Sequence, residues 1–426
     1  MPAETRRLSS GSAVALIVAN MIGAGAFTTS GFSLAELGTP ERVLAAWAAG
    51  GVLAMCGAVS YGALARRIPE SGGEYTFLSV ILHPAAGFTA GWISLLAGFT
   101  APIAAAAHVL EAYLIAATDA ELRPGLFGTL AILAAGLMHG LRVERGAQIQ
   151  NAIVVLKVAA ILAFIAFGAA VLPEHERTAV APLEWGAFSV ALIWISFAYS
   201  GWNAAVYVAG EIRDPERSLF RSLWTATALV GLLYLGLNSV FVLAAPPAEL
   251  SGRADIGAVA AQALGGSGLR RALSALVVVA LFTSISSMSM AGPRVYARMA
   301  QDGLFPRRFR TQATAPRTAV LLQVALALIV FWIGQLAQLL SYIGFTLGVS
   351  AAVTVLAAMD LRRREGGDSM PFPGYPWIPG LFVAFTLLAA VFAATRRPSE
   401  ALLGLLTLTL PAVGYGIQAA LSRRQA

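Results

Sequence analysis

From residue 12 to residue 421, apolar runs follow one another with only short charged or Pro/Gly-rich interruptions. Most are close to the roughly 20 residues that carry a helix across a bilayer. None alternates in the manner of a membrane β-barrel strand. Charged residues make up 12% of the chain, against roughly a quarter in a soluble domain. The chain therefore reads as an all-α polytopic membrane protein.

Cutting the runs at their breaks predicts twelve spans, at about 12–34, 43–65, 85–117, 127–141, 149–172, 187–210, 222–245, 273–299, 319–331, 336–359, 378–394 and 401–421. The net charge of +7 is scattered over short loops, which argues against a nucleic-acid surface and for an orientation signal. With the N-terminus cytoplasmic, twenty arginines fall on that side, among them Arg6, Arg7, Arg66, Arg67, Arg142, Arg145, Arg362, Arg363 and Arg364. Eight fall opposite, including Arg42, Arg177, Arg396 and Arg397. Both termini are thus expected in the cytoplasm of a cell-membrane protein, with the first span uncleaved and residues 1–426 forming one transmembrane domain.

Cys56 is the single cysteine, and His83, His108, His139 and His175 are dispersed. No metal site, cofactor or enzymatic triad is expected from such a set.

Lys157 is the only lysine; the other 28 basic residues are arginines. It sits in the run 153–162, where an ammonium costs about 2.5–3.5 kcal/mol unless it faces a polar interior. Snorkelling to an interface is the ordinary alternative. Lys157 lies roughly two helical turns inside the span, however, and arginine serves at every other interface.

Two spans are unlike plain helices. The first contains Asn20-Met21-Ile22-Gly23-Ala24-Gly25-Ala26-Phe27, and the sixth contains Ser196-Phe197-Ala198-Tyr199-Ser200-Gly201-Trp202-Asn203. Small residues often serve only close helix packing. These two, however, open corresponding five-helix halves, 12–172 and 187–359, with two further helices at 378–421. Interruptions at matching positions of two halves point to the binding site of an inverted-repeat transporter. A broken helix offers N–H groups to a carboxylate and carbonyls to an ammonium, so a zwitterion suits it.

At these residues the chain resembles the amino acid–polyamine–organocation (APC) superfamily, in its sodium-independent, L-type and exchanger-like branch. Further similarity lies in Ile68-Pro69-Glu70-Ser71-Gly72-Gly73-Glu74-Tyr75, Gly87-Phe88 with Gly91-Trp92, Glu211-Ile212-Arg213-Asp214-Pro215, and the stretch Arg294 to Pro306. The resemblance implies a LeuT-type fold, a 5+5 inverted repeat with discontinuous helices one and six. It implies carboxylate binding by the N–H groups around Gly23, Ala24 and Gly25. The amino group would meet carbonyls of Met21, Phe197 and Ser200, with Tyr199 and Phe197 lining or gating a pocket that Ala198, Gly201 and Trp202 complete. Relatives carry Ser where Ala24 stands, so one hydroxyl contact is absent here. Lys157 matches the helix-five lysine that stands where sodium-coupled relatives hold sodium, with Ser284 or Ser287 as neighbours.

Arginine–agmatine exchangers of this superfamily carry an acid where Asn203 stands. No Asp or Glu falls in the middle of spans one, three, six, eight or ten, so a neutral substrate is expected. The resulting expectation is a sodium-independent secondary transporter of neutral L-amino acids, working by exchange or proton coupling and surrounded by lipid. A non-transporting sensor and a carrier of cationic amino acids or polyamines are the alternatives, and a homo-oligomer is left open. His108 and Glu111 share a helix face, as a proton relay or as a satisfied pair. Pro102 is expected to kink span three.

Overall fold

The computed structural model describes residues 8–118, 123–140, 146–174, 182–310 and 317–425; the assignments of Arg6, Arg7, Arg142, Arg145, Arg177 and His175 lie outside them. Among the described residues the regular structure is helical, apart from one parallel bridge between Leu8 and Ile212. Helix α1 (Ser10–Met21) and α2 (Ala24–Leu37) are bent by 40° about Ile22 and Gly23. Then come α3 (Pro40–Arg67), the short α4 (Glu74–Ile81), and a 35-residue rod. That rod is α5 (Pro84–Ile93), a π-helical stretch (Ser94–Thr100) and α6 (Ala101–Thr118). Next are α7 (Leu126–Gly140), α8 (Gly146–Val171) and α9 (Trp185–Ala198), the last followed by a turn and a 3₁₀ helix (Ala204–Glu211). The remainder is α10 (Pro215–Leu243), α11 (Pro247–Leu250), α12 (Ile256–Gln301), α13 (Arg317–Ile333), α14 (Leu336–Glu365), α15 (Trp377–Arg396) and α16 (Pro398–Gln425).

Every predicted span falls on one of these helices or on a broken pair. By length and apolarity alone seven described helices suffice to cross a membrane, or eight counting α1 with α2; α7, α9 and α13 are apolar but shorter. Helix α3 shows how the ends are written locally. Thr39 caps it, Pro40 takes the first position, Glu41 sits in the first turn and Arg66 and Arg67 in the last, each favourable to the helix dipole or its unpaired N–H groups.

Two local features depart from expectation. The segment after α3 becomes helix α4 from Glu74. Helix α12 begins at Ile256, well before residue 273, and is interrupted at Gly265 and Gly266, where Gly266 has φ +69°. Pro102 follows a π-helical stretch, whose wider turn accommodates the missing N–H and the ring.

Small residues set the packing. Helix α3 lies along α10 and α6 along α12, with Ala104, Ala105, Ala106 and Ala107 all buried, so that backbones approach closely. On α8, Val155 and Leu156 are exposed on the outer surface while Lys157 is only 4% exposed. The lysine therefore occupies the inward face, not the one that meets lipid.

Candidate functional site

The interruption of helix one is a tight local turn. Ile22 N–H donates to the Val18 carbonyl at 3.1 Å and Gly23 N–H to the Met21 carbonyl at 2.8 Å. Helix α2 restarts at Ala24, where no side chain caps the N-terminus. The first N–H groups of a helix have no partner within it, and those of Ala24 and Gly25 stand at the break. In helix six, Ser200 N–H donates to the Phe197 carbonyl at 2.9 Å, and Gly201 takes φ +96°, a conformation that favours glycine.

The two interruptions interlock. A Cβ on Gly25 would lie 2.5 Å from Ala198 Cα, and one on Gly201 would lie 2.9 Å from the Asn20 carbonyl. Met21, Ala24, Gly25, Phe197, Ala198, Tyr199 and Trp202 are buried, and Gly23, Ser200 and Gly201 are half-buried. Ser284 on α12 donates to the Ile22 carbonyl at 3.5 Å and so reaches the break; Ser287 is half-buried on the same helix. Helix α8 packs against α1, α10 and α12. Among the described residues no carboxylate lies within ion-pair distance of Lys157.

Several residues that sequence reasoning passed over complete the site. Tyr234 on α10 donates its phenol to the Met21 carbonyl, which also receives Gly23 N–H. A carbonyl has two lone pairs, so a substrate ammonium at Met21 must share or displace a donor. Tyr199 turns toward α3 and α10: it donates to the Trp47 carbonyl at 3.2 Å and packs against Trp47 and Tyr234 at ring separations of 5.5 and 5.2 Å. Trp47 Nε1 donates to Ser30 Oγ at 2.8 Å, which donates to Asn238 at 2.7 Å. These polar contacts tie the restarted α2 to its neighbours. Tyr113 does likewise from α6, donating to the Phe27 carbonyl at 2.7 Å and accepting from Gly257 N–H at 3.0 Å.

Glu111 does not pair with His108. Its carboxylate accepts from Gly125 and Gly128 N–H groups and so caps the start of α7, while the His108 ring lies against Phe331 at 4.4 Å.

Polar contacts tie the bundle together toward both ends of the interrupted helices. At the arginine-rich end, Leu8 N–H donates to the Glu211 carbonyl and Arg213 N–H to that of Leu8, and Arg67 pairs with Glu365 at 2.6 Å. At the other end Gly252 N–H donates to the Gly31 carbonyl at 2.8 Å, and Arg397 bonds Glu36 at 2.7 Å while lying over Trp194.

Paired, interlocking helix breaks thus lie inside an apolar helical bundle. The amino acid permease family profile matches residues 8–406, and the chain belongs to that family, within the APC superfamily. It is similar to the serine/threonine exchanger SteT of Bacillus subtilis (strain 168), with 27% identity over 396 residues covering 87% of each chain. The large neutral amino acids transporter small subunit 2 of Rattus norvegicus is 24% identical over 411 residues, 92% of this chain and 77% of the relative. The cystine/glutamate transporter of Homo sapiens is 26% identical over 392 residues, 89% of this chain and 78% of the relative. The protein is a multi-pass membrane transporter and not an enzyme.

Proposed function

We propose that this protein is a sodium-independent secondary transporter of neutral L-amino acids, working by alternating access between the two faces of a cell membrane. The observation that carries the reading is the meeting of the two interruptions, Gly25 against Ala198 and Gly201 against Asn20. At their junction the free N–H groups of Ala24 and Gly25 suit a carboxylate. The carbonyls of Phe197 and Ser200 suit an ammonium, and that of Met21 joins them once the substrate displaces the Tyr234 phenol. Lys157, buried without a carboxylate partner among the described residues, supplies from within the chain a positive charge beside the broken helix, in place of a bound sodium ion.

A neutral side chain fits best. Ala24 offers no hydroxyl, and among the described residues the carboxylate that bonds the helix-six turn, Glu74, is already occupied by three donors. The twelve spans take the LeuT-type arrangement, five plus five with two appended, and both termini are cytoplasmic. Substrate exchange and proton coupling are the two modes consistent with a buried lysine.

A radiolabelled amino acid panel in proteoliposomes, with sodium or choline outside, tests this. Uptake of neutral amino acids unchanged by sodium is the expected result. Preloading the vesicles with substrate, compared with imposing a pH gradient, separates exchange from proton coupling. Binding without translocation, or uptake that requires sodium, contradicts the reading.

A further inference from the structure

Glu74 was legible in the sequence only as part of a loop motif, and the fold brings it to the helix-six break. One of its oxygens accepts from Tyr61 Oη at 2.8 Å and from Asn203 Nδ2 at 3.0 Å; the other accepts from Tyr207 Oη at 2.6 Å. The donors come from α3, from the turn after α9 and from the 3₁₀ helix. All three are neutral, and hydrogen bonds to an ionised carboxylate are roughly twice as strong as neutral ones.

The 3₁₀ helix needs such ties. Its own hydrogen-bond geometry is poorer than that of an α-helix, and Val208 departs from helical angles within it. The loop before α4 and the first residue of α4 hold it at three places. Ser71 Oγ accepts from Gly210 N–H at 3.0 Å. Gly73, at φ +58°, lies under the Tyr207 ring, where a Cβ would come within 2.5 Å of a ring carbon. Glu74 takes Tyr207 and Asn203. Through Tyr61 it also steadies Trp202, whose ring meets that of Tyr61 edge-on at 4.7 Å.

We propose that Glu74 is a positioning residue that latches the second half of the broken helix six to the start of α4 and the segment before it, and so keeps the arginine-rich end closed. This rests on the alternating-access reading, in which that half must leave the loop for the site to open there. The carboxylate touches the helix on the far side of the break from α9, so it couples the shape of the turn to closure of that end.

The test places one cysteine at Ala205, a fully buried position in the 3₁₀ helix, in a Cys56→Ser background. Maleimide labelling is followed in purified full-length protein in detergent. Glu74→Gln and Tyr207→Phe are each expected to speed labelling by about tenfold, the scale set by losing one hydrogen bond to a charged group. Glu74→Asp should restore most of the protection. In exchange assays Glu74→Gln should raise KM more than it changes kcat, since the closed state that retains substrate becomes less populated.

Glu111→Gln serves as the control, because it loosens a helix cap far from this latch. Labelling at the parental rate in both Glu74→Gln and Tyr207→Phe overturns the proposal, as does an equal rise in Glu111→Gln. If Glu74→Gln fails to fold, Tyr207→Phe carries the test. Labelling requires no substrate, so a parent that transports nothing defeats the transport reading and leaves the latch to be judged separately.

Discussion

Gly25 and Gly23 stand two residues apart in the same motif, and the structure assigns them opposite tolerance. A Cβ on Gly25 would sit 2.5 Å from Ala198 Cα and 2.6 Å from its Cβ, where carbon atoms prefer about 3.5–4.0 Å. The obstacle is backbone, so relief requires α2 and α9 to part by roughly 1 Å. Overpacking of this kind costs about 1–3 kcal/mol. It acts against a gain of up to about 1 kcal/mol that alanine brings over glycine inside a helix. In the upper half of the overpacking range, a cost of about 2–3 kcal/mol less that gain leaves about 1–2 kcal/mol, so at about 1.4 kcal/mol per decade Gly25→Ala should lose roughly five- to thirtyfold in apparent substrate affinity. The same Cβ on Gly23 meets nothing nearer than Ser284 Oγ at 3.8 Å, so Gly23→Ala should remain within about twofold of the parent. Ala198→Gly combined with Gly25→Ala should recover only part of the loss, because the clash with the main chain of residue 198 persists. The assay is a competition series in proteoliposomes together with a thermal melt of each variant. Equal behaviour of Gly25→Ala and Gly23→Ala, in either direction, would refute the interlocking of the two breaks as the basis of the site.

Other expectations can be checked in the same preparations. Lys157→Ala should abolish uptake while leaving the protein in the membrane, and uptake at the parental rate would remove the lysine from the mechanism. Glu111→Ala leaves the Gly125 and Gly128 N–H groups of α7 uncapped and should cost about 1–3 kcal/mol of stability, read as a lowered melting temperature. It should leave any proton dependence of uptake unchanged; a lost pH response would revive the relay. Tyr113→Phe removes the hydroxyl that joins α2 to α12 and should destabilise by about 1–3 kcal/mol, whereas an unchanged melt would show that the bond contributes nothing net. Arg397→Gln breaks a partly exposed pair with Glu36 and should alter stability by less than about 1 kcal/mol, which chemical denaturation would measure.

Much of the architecture lay in the chain itself, because it depends on neighbours along the sequence. Apolar runs mark helices, Thr39-Pro40 and Arg66-Arg67 mark the ends of α3, and Gly23 and Gly201 mark where helices stop being regular. Hydropathy also identified Lys157 as the one ammonium that needed an interior. Helix α4 escaped notice because eight residues are too few to display an apolar period. The early start of α12 escaped because Arg270 and Arg271 resemble a loop, though Arg270 reaches back across the interruption at Gly265 and Gly266 to Gln262.

Partnership was another matter. Tyr234 and Met21 are 213 residues apart, and Asn203 and Glu74 are 129 apart. Glu111 looked like a partner for His108 three residues away and instead caps α7. Where a helix forms or breaks is settled by local propensity and burial, which a sequence records directly. Which donor meets which carbonyl depends on how separate helices pack and turn about their axes, and only the folded bundle determines that. So the sequence alone determined a helical membrane carrier with two interruptions and an interior cation. The tertiary structure alone decided that the interruptions interlock, that Tyr234 occupies the Met21 carbonyl, and that Glu74 reaches the second break.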